Sequence, residues 1–132
     1  MGQSILVVED EAALRKAISI SLKKKGYEVL SATSAEEALN ALAAARSGVD
    51  AIWLDHYLLN NETGMDFLRR MKSDEKYKTM PVFVVSNSVD DKKVQAYYLM
   101  GIEKYYIKAE NSLDTIIDDI NNHFVGKRGN NG

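Results

Sequence analysis

Four apolar runs in this sequence each give way, at their carboxyl end, to side chains able to do chemistry. "SILVV" is followed by Glu9, Asp10 and Glu11, "AIWL" by Asp55, "VFVV" by Ser86 and "KYYI" by Lys108. Two carboxylates about 4 Å apart repel by roughly 4 kcal/mol at an effective dielectric near 20. Such a pair takes up a proton or holds a cation. A few oxygen donors, with no cysteine and no paired histidine, suit Mg²⁺, with Mn²⁺ possible, and not Zn²⁺. Mg²⁺ binds through one or two carboxylates, keeps several waters and leaves room for phosphate oxygens. A metal, an ammonium and a hydroxyl converging on one carboxylate match a phosphoryl group, whose charge spreads over several oxygens. An ionised aspartate can itself be the nucleophile, giving an aspartyl phosphate. Asp55, the lone acid directly at the end of its run, is the natural acceptor. Dehydratase or hydrolase chemistry would want a further general base, and His56 is the only candidate beside it.

These residues converge only if the runs are neighbouring strands. Between them lie segments of helical spacing. "EAALRKAISISLKKKG" sets Leu14, Ile18 and Leu22 four apart, with lysines in its last turn and Gly26 at the capping position. Ser34 and Glu37 predict a capping box opening "AEEALNALAAARSG". "MDFLRRMKSDEKY" predicts a third helix, and Ser88 with Asp91 predicts a capping box before the fourth, "DDKKVQAYYLMG". "SLDTIIDDINNHFV" aligns Leu113, Ile116, Ile117, Ile120 and Phe124 on one side. With "YEVLSA" as a further strand, the chain reads as five strands, each followed by a helix.

Strands that are apolar along their length belong in a parallel sheet covered on both faces. Right-handed crossovers then give an α/β, doubly wound five-stranded sheet with helices on both faces. Such folds bind ligands outside the carboxyl ends of their strands. The domain is expected over residues 3–125, with "GKRGNNG", residues 126–132, as a flexible tail. Trp53 reads as core, Tyr97 and Tyr98 as helix packing, and His56 and His123 as a loop and a surface histidine.

At 132 residues the chain suffices for one domain. The absence of cysteine excludes disulfides, thiolate metal sites and a cysteine nucleophile, and fits a reducing, cytoplasmic setting. "MGQSILVVED" has no basic region followed by a long apolar stretch, so no signal peptide is expected, and Leu6 stands where a myristoylation start would want Ser or Thr. No segment approaches the roughly 18 unbroken apolar residues of a membrane span. A formal net charge of −2 with mixed signs throughout gives no nucleic-acid footprint. "LKKKGY" reads as a solvated helix end favoured by the helix dipole.

"ILVVEDEAALRKAI", "AIWLDHYL", "VFVVSNS" and "KYYIKAE", in that order, resemble the receiver domain of bacterial two-component response regulators, over roughly residues 3 to 125. The ordered set carries the resemblance, since an acid pair or a lysine alone is common. The resemblance implies a flavodoxin-like sheet of order 2-1-3-4-5. It implies Asp55 as phospho-acceptor, Asp10 binding Mg²⁺ directly, Glu9 through water, and Tyr57 lending its backbone carbonyl. Ser86 and Lys108 would stabilise the phosphoryl group, and Tyr105 matches the aromatic that turns inward on activation. The partners implied are a histidine kinase or histidine phosphotransfer protein and a downstream protein, met through the fourth helix, fifth strand and fifth helix. Such a protein is a signalling switch and not an enzyme in the ordinary sense.

Four positions depart from the family pattern. Ala109 follows Lys108 where proline in a cis peptide is usual, and a cis bond before a non-proline costs about 2.5–4 kcal/mol. The loop "HYLLNNETG" has no proline and is one residue longer before Gly64, Asn87 replaces a small residue, and Glu9 stands where aspartate is commoner. A degenerate receiver, acting as an interaction module without phosphate, is the alternative reading; Mg²⁺ binding by Glu9, Asp10 and Asp55 discriminates. A haloacid dehalogenase-like phosphatase wants a second aspartate two positions after the nucleophile, where this chain has Tyr57. A flavodoxin-like cofactor protein wants a Gly-rich or hydroxyl-rich loop after the first strand, where this chain has acids.

Overall fold

The computed structural model describes residues 2–46 and 48–131. Its elements alternate along the chain: β1 (Ser4–Val8), α1 (Ala12–Lys24), β2 (Glu28–Ala32), α2 (Ala35–Ala44), β3 (Ala51–Leu54), α3 (Gly64–Lys72), β4 (Val82–Ser86), α4 (Asp91–Leu99), β5 (Lys104–Ile107) and α5 (Leu113–Asn131). The strands form one parallel sheet of order β2-β1-β3-β4-β5. Among the described residues no helix is long and apolar enough to cross a membrane.

Strand parity divides the core into two layers. Ile5, Val7, Ala51, Trp53, Phe83, Val85 and Tyr106 face α1 and α5, meeting Ile18, Leu22, Ile116, Ile117, Ile120 and Phe124. Leu6, Val8, Ile52, Leu54, Val82, Val84 and Tyr105 face α2, α3 and α4, meeting Ala38, Leu42, Phe67, Leu68, Met71 and Tyr97. β1, β3 and β4 are buried along their whole length, which is why they read as unbroken apolar runs. β2 differs, being one of the two edge strands, with Glu28, Leu30 and Ser31 exposed.

Local chemistry sets the helix ends. The Tyr27 amide donates to the Leu22 carbonyl and the Gly26 amide to that of Lys23, with Gly26 at φ 94°, a Schellman closure of α1. Ser34 caps α2 by accepting from the Glu37 amide, but the Glu37 carboxylate turns back to the Thr33 amide, so the expected box is only half made. A full capping box opens α3 instead, between Thr63 and Asp66. The cap of α4 is Asp90, accepting from the Lys92 and Lys93 amides; this replaces the Ser88–Asp91 box expected from the sequence.

The backbone of α5 runs on to Asn131, through most of the segment expected as a tail, and Gly132 lies outside the described residues. Among the described residues no peptide bond is cis. The chain after Lys108 therefore takes a trans course, turning at once into a 3₁₀ turn over Lys108–Glu110 that is fastened by Asn111 Nδ2 donating to the Ile107 carbonyl.

Candidate functional site

Parallel register brings the reactive residues together. Val8 pairs with Leu54, Leu54 with Val84, and Ser86 with Ile107, so the next residues emerge side by side at the carboxyl edge. The Asp55 amide donates to the Val8 carbonyl and the Glu9 amide to that of Ala32, carrying the sheet pairing one step into the site. Arg15, one turn into α1, donates to the Glu9 carbonyl and holds the β1–α1 junction down.

Glu9 and Asp55 are 1% and 4% exposed, and each carboxylate oxygen has a partner. Lys108 Nζ lies 3.0 Å from Glu9 Oε1 and 3.3 Å from Asp55 Oδ2. The Glu11 amide donates to Glu9 Oε2 at 3.1 Å, and the His56 amide to Asp55 Oδ1 at 2.7 Å. The lysine reaches both acids although no proline follows it. Burial would push its ammonium down, but Asp55 and Glu9 outweigh that and raise it. Glu9 moves the other way from a paired acid. Burial and the Asp55 charge prevail over the Glu11 amide and Lys108, and its carboxyl is pushed up to about 7. One ammonium is too little for this cluster.

Oxygen atoms of Glu9, Asp10 and Asp55 lie within 4.8 Å of one another, with Asp10 the most exposed of the three. This all-oxygen set with surplus negative charge fits a hard divalent cation. Tyr57 stands opposite Thr63 in an isolated antiparallel bridge. The bridge closes through the Leu58 amide to the Glu62 carbonyl and the Gly64 amide to the His56 carbonyl, leaving the Tyr57 carbonyl outside it. The longer loop turns at Asn60 and Asn61, at φ 65° and 58°, where asparagine tolerates the left-handed region. The Tyr57 ring is exposed, with Lys93 Nζ of α4 5.2 Å from its centroid.

Ser86 is fully buried, and its hydroxyl accepts from the Ser88 amide at 3.2 Å rather than meeting Asp55 or Lys108. Asn87 is exposed. Tyr105 is buried, and its hydroxyl donates to the Ser88 carbonyl at 2.9 Å. Its amide donates to Tyr98 Oη.

Two residues read as unremarkable from the sequence occupy other places. His56 is buried, not a loop side chain in water, and its Nδ1 lies 2.6 Å from Tyr97 Oη. Burial and Lys93 lower its pKa. Burial raises the Tyr97 hydroxyl far above its ordinary value, so it keeps its proton. The signal available was parity, since Ile52, Leu54 and His56 fall on one face. His123 is also not a free surface group. It packs edge-on against Phe83, with Nδ1 3.9 Å from Glu103, and its Nε2 has no partner among the described residues. Trp53 is core as expected, though its Nε1 likewise has no partner among the described residues.

Comparisons with known proteins point the same way. A family model described as "Response regulator receiver domain" matches residues 5–121. The chain is 33% identical to the phosphate regulon transcriptional regulatory protein PhoB of Pseudomonas aeruginosa, over 82% of this chain and 46% of that protein. It therefore spans less than half of that relative's length. It is 31% identical to the two-component response regulator ORR3 of Oryza sativa subsp. indica, over 79% of this chain and 78% of that one. Among solved structures, the phosphorylated cyanobacterial phytochrome response regulator RcpA superposes with a TM-score of 0.78 at 28% identity, covering 91% of this chain and 89% of that one.

Proposed function

Because the chain belongs to the response regulator receiver domain family, we propose that residues 3–125 form a signalling switch that accepts a phosphoryl group on Asp55. The observation that carries this reading is the cluster of Glu9, Asp10 and Asp55 with Lys108 between two of them, at the carboxyl edge of β1, β3 and β5. The similar RcpA is described in a phosphorylated form, which supports the same chemistry here.

The donor would be a phosphohistidine of a histidine kinase or histidine phosphotransfer protein. An Asp55 carboxylate oxygen forms a bond to phosphorus as the phosphorus–nitrogen bond breaks, and the imidazole leaves with the electron pair. Glu9, Asp10, the Asp55 carboxylate and the Tyr57 carbonyl would hold Mg²⁺, or Mn²⁺, which supplies positive charge to the carboxylates and phosphoryl oxygens. Lys108 keeps its ammonium at Asp55 and meets the phosphoryl group there. The Ser86 hydroxyl would leave the Ser88 amide for a phosphoryl oxygen. The Ser88 carbonyl holds the Tyr105 hydroxyl, so that move reaches the surface of α4, β5 and α5, where a downstream protein would bind. The setting would be the cytoplasm. The product is a changed surface rather than a released compound, so the chain is a switch and not an enzyme in the usual sense.

Intact mass after incubation with Mg²⁺ and a small-molecule phosphodonor, beside Asp55→Asn, tests the reading. Gain of one phosphoryl group by the parent and none by the variant is expected. No gain by the parent, under conditions that label a working receiver, would remove the phospho-acceptor reading and leave an interaction module.

A further inference from the structure

Asp55 and His56 are consecutive, yet their side chains serve opposite layers. Asp55 meets Glu9 and Lys108, while His56 continues the parity of Ile52 and Leu54 and ends against Tyr97 of α4. Tyr97 is fully buried, with its hydroxyl 2.6 Å from His56 Nδ1. The assignment that gives this buried hydroxyl an acceptor for its proton has the Tyr97 O–H donating to Nδ1 of a neutral His56.

The contact has no slack. A Cβ on Gly64 would fall 2.6 Å from the Asp55 carbonyl oxygen and 2.7 Å from Tyr97 Oη, so all three are already in close approach. The His56 ring lies edge-on to Tyr57 and Tyr97, at centroid distances of 4.7 and 5.7 Å. Beyond it, the Tyr97 ring packs on Tyr105 at 5.8 Å. Tyr105 bonds the Ser88 carbonyl, and the Ser88 amide bonds Ser86 Oγ. This run of contacts leaves Asp55 through His56 and ends at Ser86, whose hydroxyl stops short of Asp55.

We propose that the His56–Tyr97 hydrogen bond is a positioning contact that anchors α4 to the Asp55 site in the unmodified chain. It couples the bonding state of Asp55 to α4 by a second route, which enters the helix at Tyr97 and needs no movement of the Ser86 hydroxyl. The inference rests on Asp55 being the acceptor. The His56 amide donates to Asp55 Oδ1 at 2.7 Å, a charge-assisted bond that weakens when the carboxylate becomes a mixed anhydride. His56 then shifts, and in a close-packed interior the shift passes to its hydroxyl partner and so to the helix. The anchor favours the unmodified geometry, so its loss shifts the population toward the modified one.

The test uses beryllofluoride with Mg²⁺ as a phosphoryl mimic, titrated into the parent, Tyr97→Phe, His56→Gln and the double variant. Backbone amide NMR reads occupancy at Asp55 and the response of Val94 to Leu99. Tyr97→Phe keeps the ring and removes only the hydroxyl. Its apparent affinity for the mimic is expected to tighten about fivefold, the low end of ordinary coupling. The double variant is expected to gain no more than either single one, because both remove the same bond. Equal affinity and an equal α4 response in parent and Tyr97→Phe, weaker binding by the variant, or single effects that simply add, would each overturn the proposal. Should His56→Gln fail to fold, parent against Tyr97→Phe decides alone. If the parent shows no response at Asp55, the acceptor reading itself fails and this inference falls with it.

Discussion

Replacing Glu9 by Gln is expected to remove most of a pH dependence of stability that lies between about pH 5 and pH 8. In the folded chain the Glu9 carboxyl is raised from an ordinary 4.5 to about 7, by burial first and the Asp55 charge second. Below pH 4.5 the group holds its proton in both folded and unfolded chains and contributes nothing. Through the interval the folded chain binds more protons, so stability falls as pH rises, and the loss is complete somewhat above 7. At roughly 1.4 kcal/mol for each tenfold difference in proton affinity, the loss is on the order of 3 kcal/mol. His56 works against it, since burial lowers its pKa and stability is lost as pH falls below its ordinary 6.5. The parent profile is therefore a sum, and the difference between parent and Glu9→Gln isolates Glu9. Urea unfolding followed by Trp53 fluorescence, in EDTA at four values from pH 5 to pH 8, reads that difference. It should grow by about 2–3 kcal/mol in favour of the variant as pH rises. At pH 8, Mg²⁺ at a hundred times its dissociation constant should return about 2.7 kcal/mol to the parent, and markedly less to the variant. Parallel pH profiles for the two proteins would refute the electrostatic account of this cluster.

Other substitutions probe the supports of the site. Lys108→Met leaves two buried carboxylates without their shared ammonium, so about 3 kcal/mol of destabilisation is expected at pH 8 and clearly less at pH 5, where Glu9 can take a proton; denaturation at the two pH values checks it. Gly64→Ala forces a Cβ into the Asp55 carbonyl and Tyr97 Oη, and should lower stability by about 1–3 kcal/mol, visible as a fall in Tm. Asp90→Ala should cost about 1 kcal/mol through loss of the α4 cap while Ser88→Ala costs less, an order that urea midpoints would reveal.

The layered sheet was legible because three of its strands are buried on both faces, and burial on both faces writes an unbroken apolar run such as "AIWL". β2 carries a weaker signature, since an edge strand needs few apolar side chains, and Glu28 and Ser31 can face water. Helix starts were harder. Several Ser, Thr and Asp residues compete at each one, and the choice of Asp90 over Ser88 depends on backbone angles that spacing does not encode. At the site, Glu9, Asp10, Asp55 and Lys108 came together because parallel register sets the strand ends side by side, while the Ser86 hydroxyl turns to the Ser88 amide. The His56–Tyr97 bond was hidden because it joins residues 41 apart, from a loop and a helix face, and both were ordinary types in ordinary places. The route after Lys108 was hidden too. A trans peptide with a 3₁₀ turn presents the lysine without the proline the family pattern uses, and Asn111 secures that turn from beyond the motif.

The sheet is also a partition. Its two apolar clusters share no residue, one enclosed by α1 and α5, the other by α2, α3 and α4. Core substitutions on opposite faces should therefore combine additively in stability, to within a few tenths of a kcal/mol. One face can then be remodelled for a new partner while the other keeps its shape, and the exception is the carboxyl edge, where Asp55 and His56 join both sides in a single dipeptide. Such a chain is free to diverge on its flanks and is constrained at its seam.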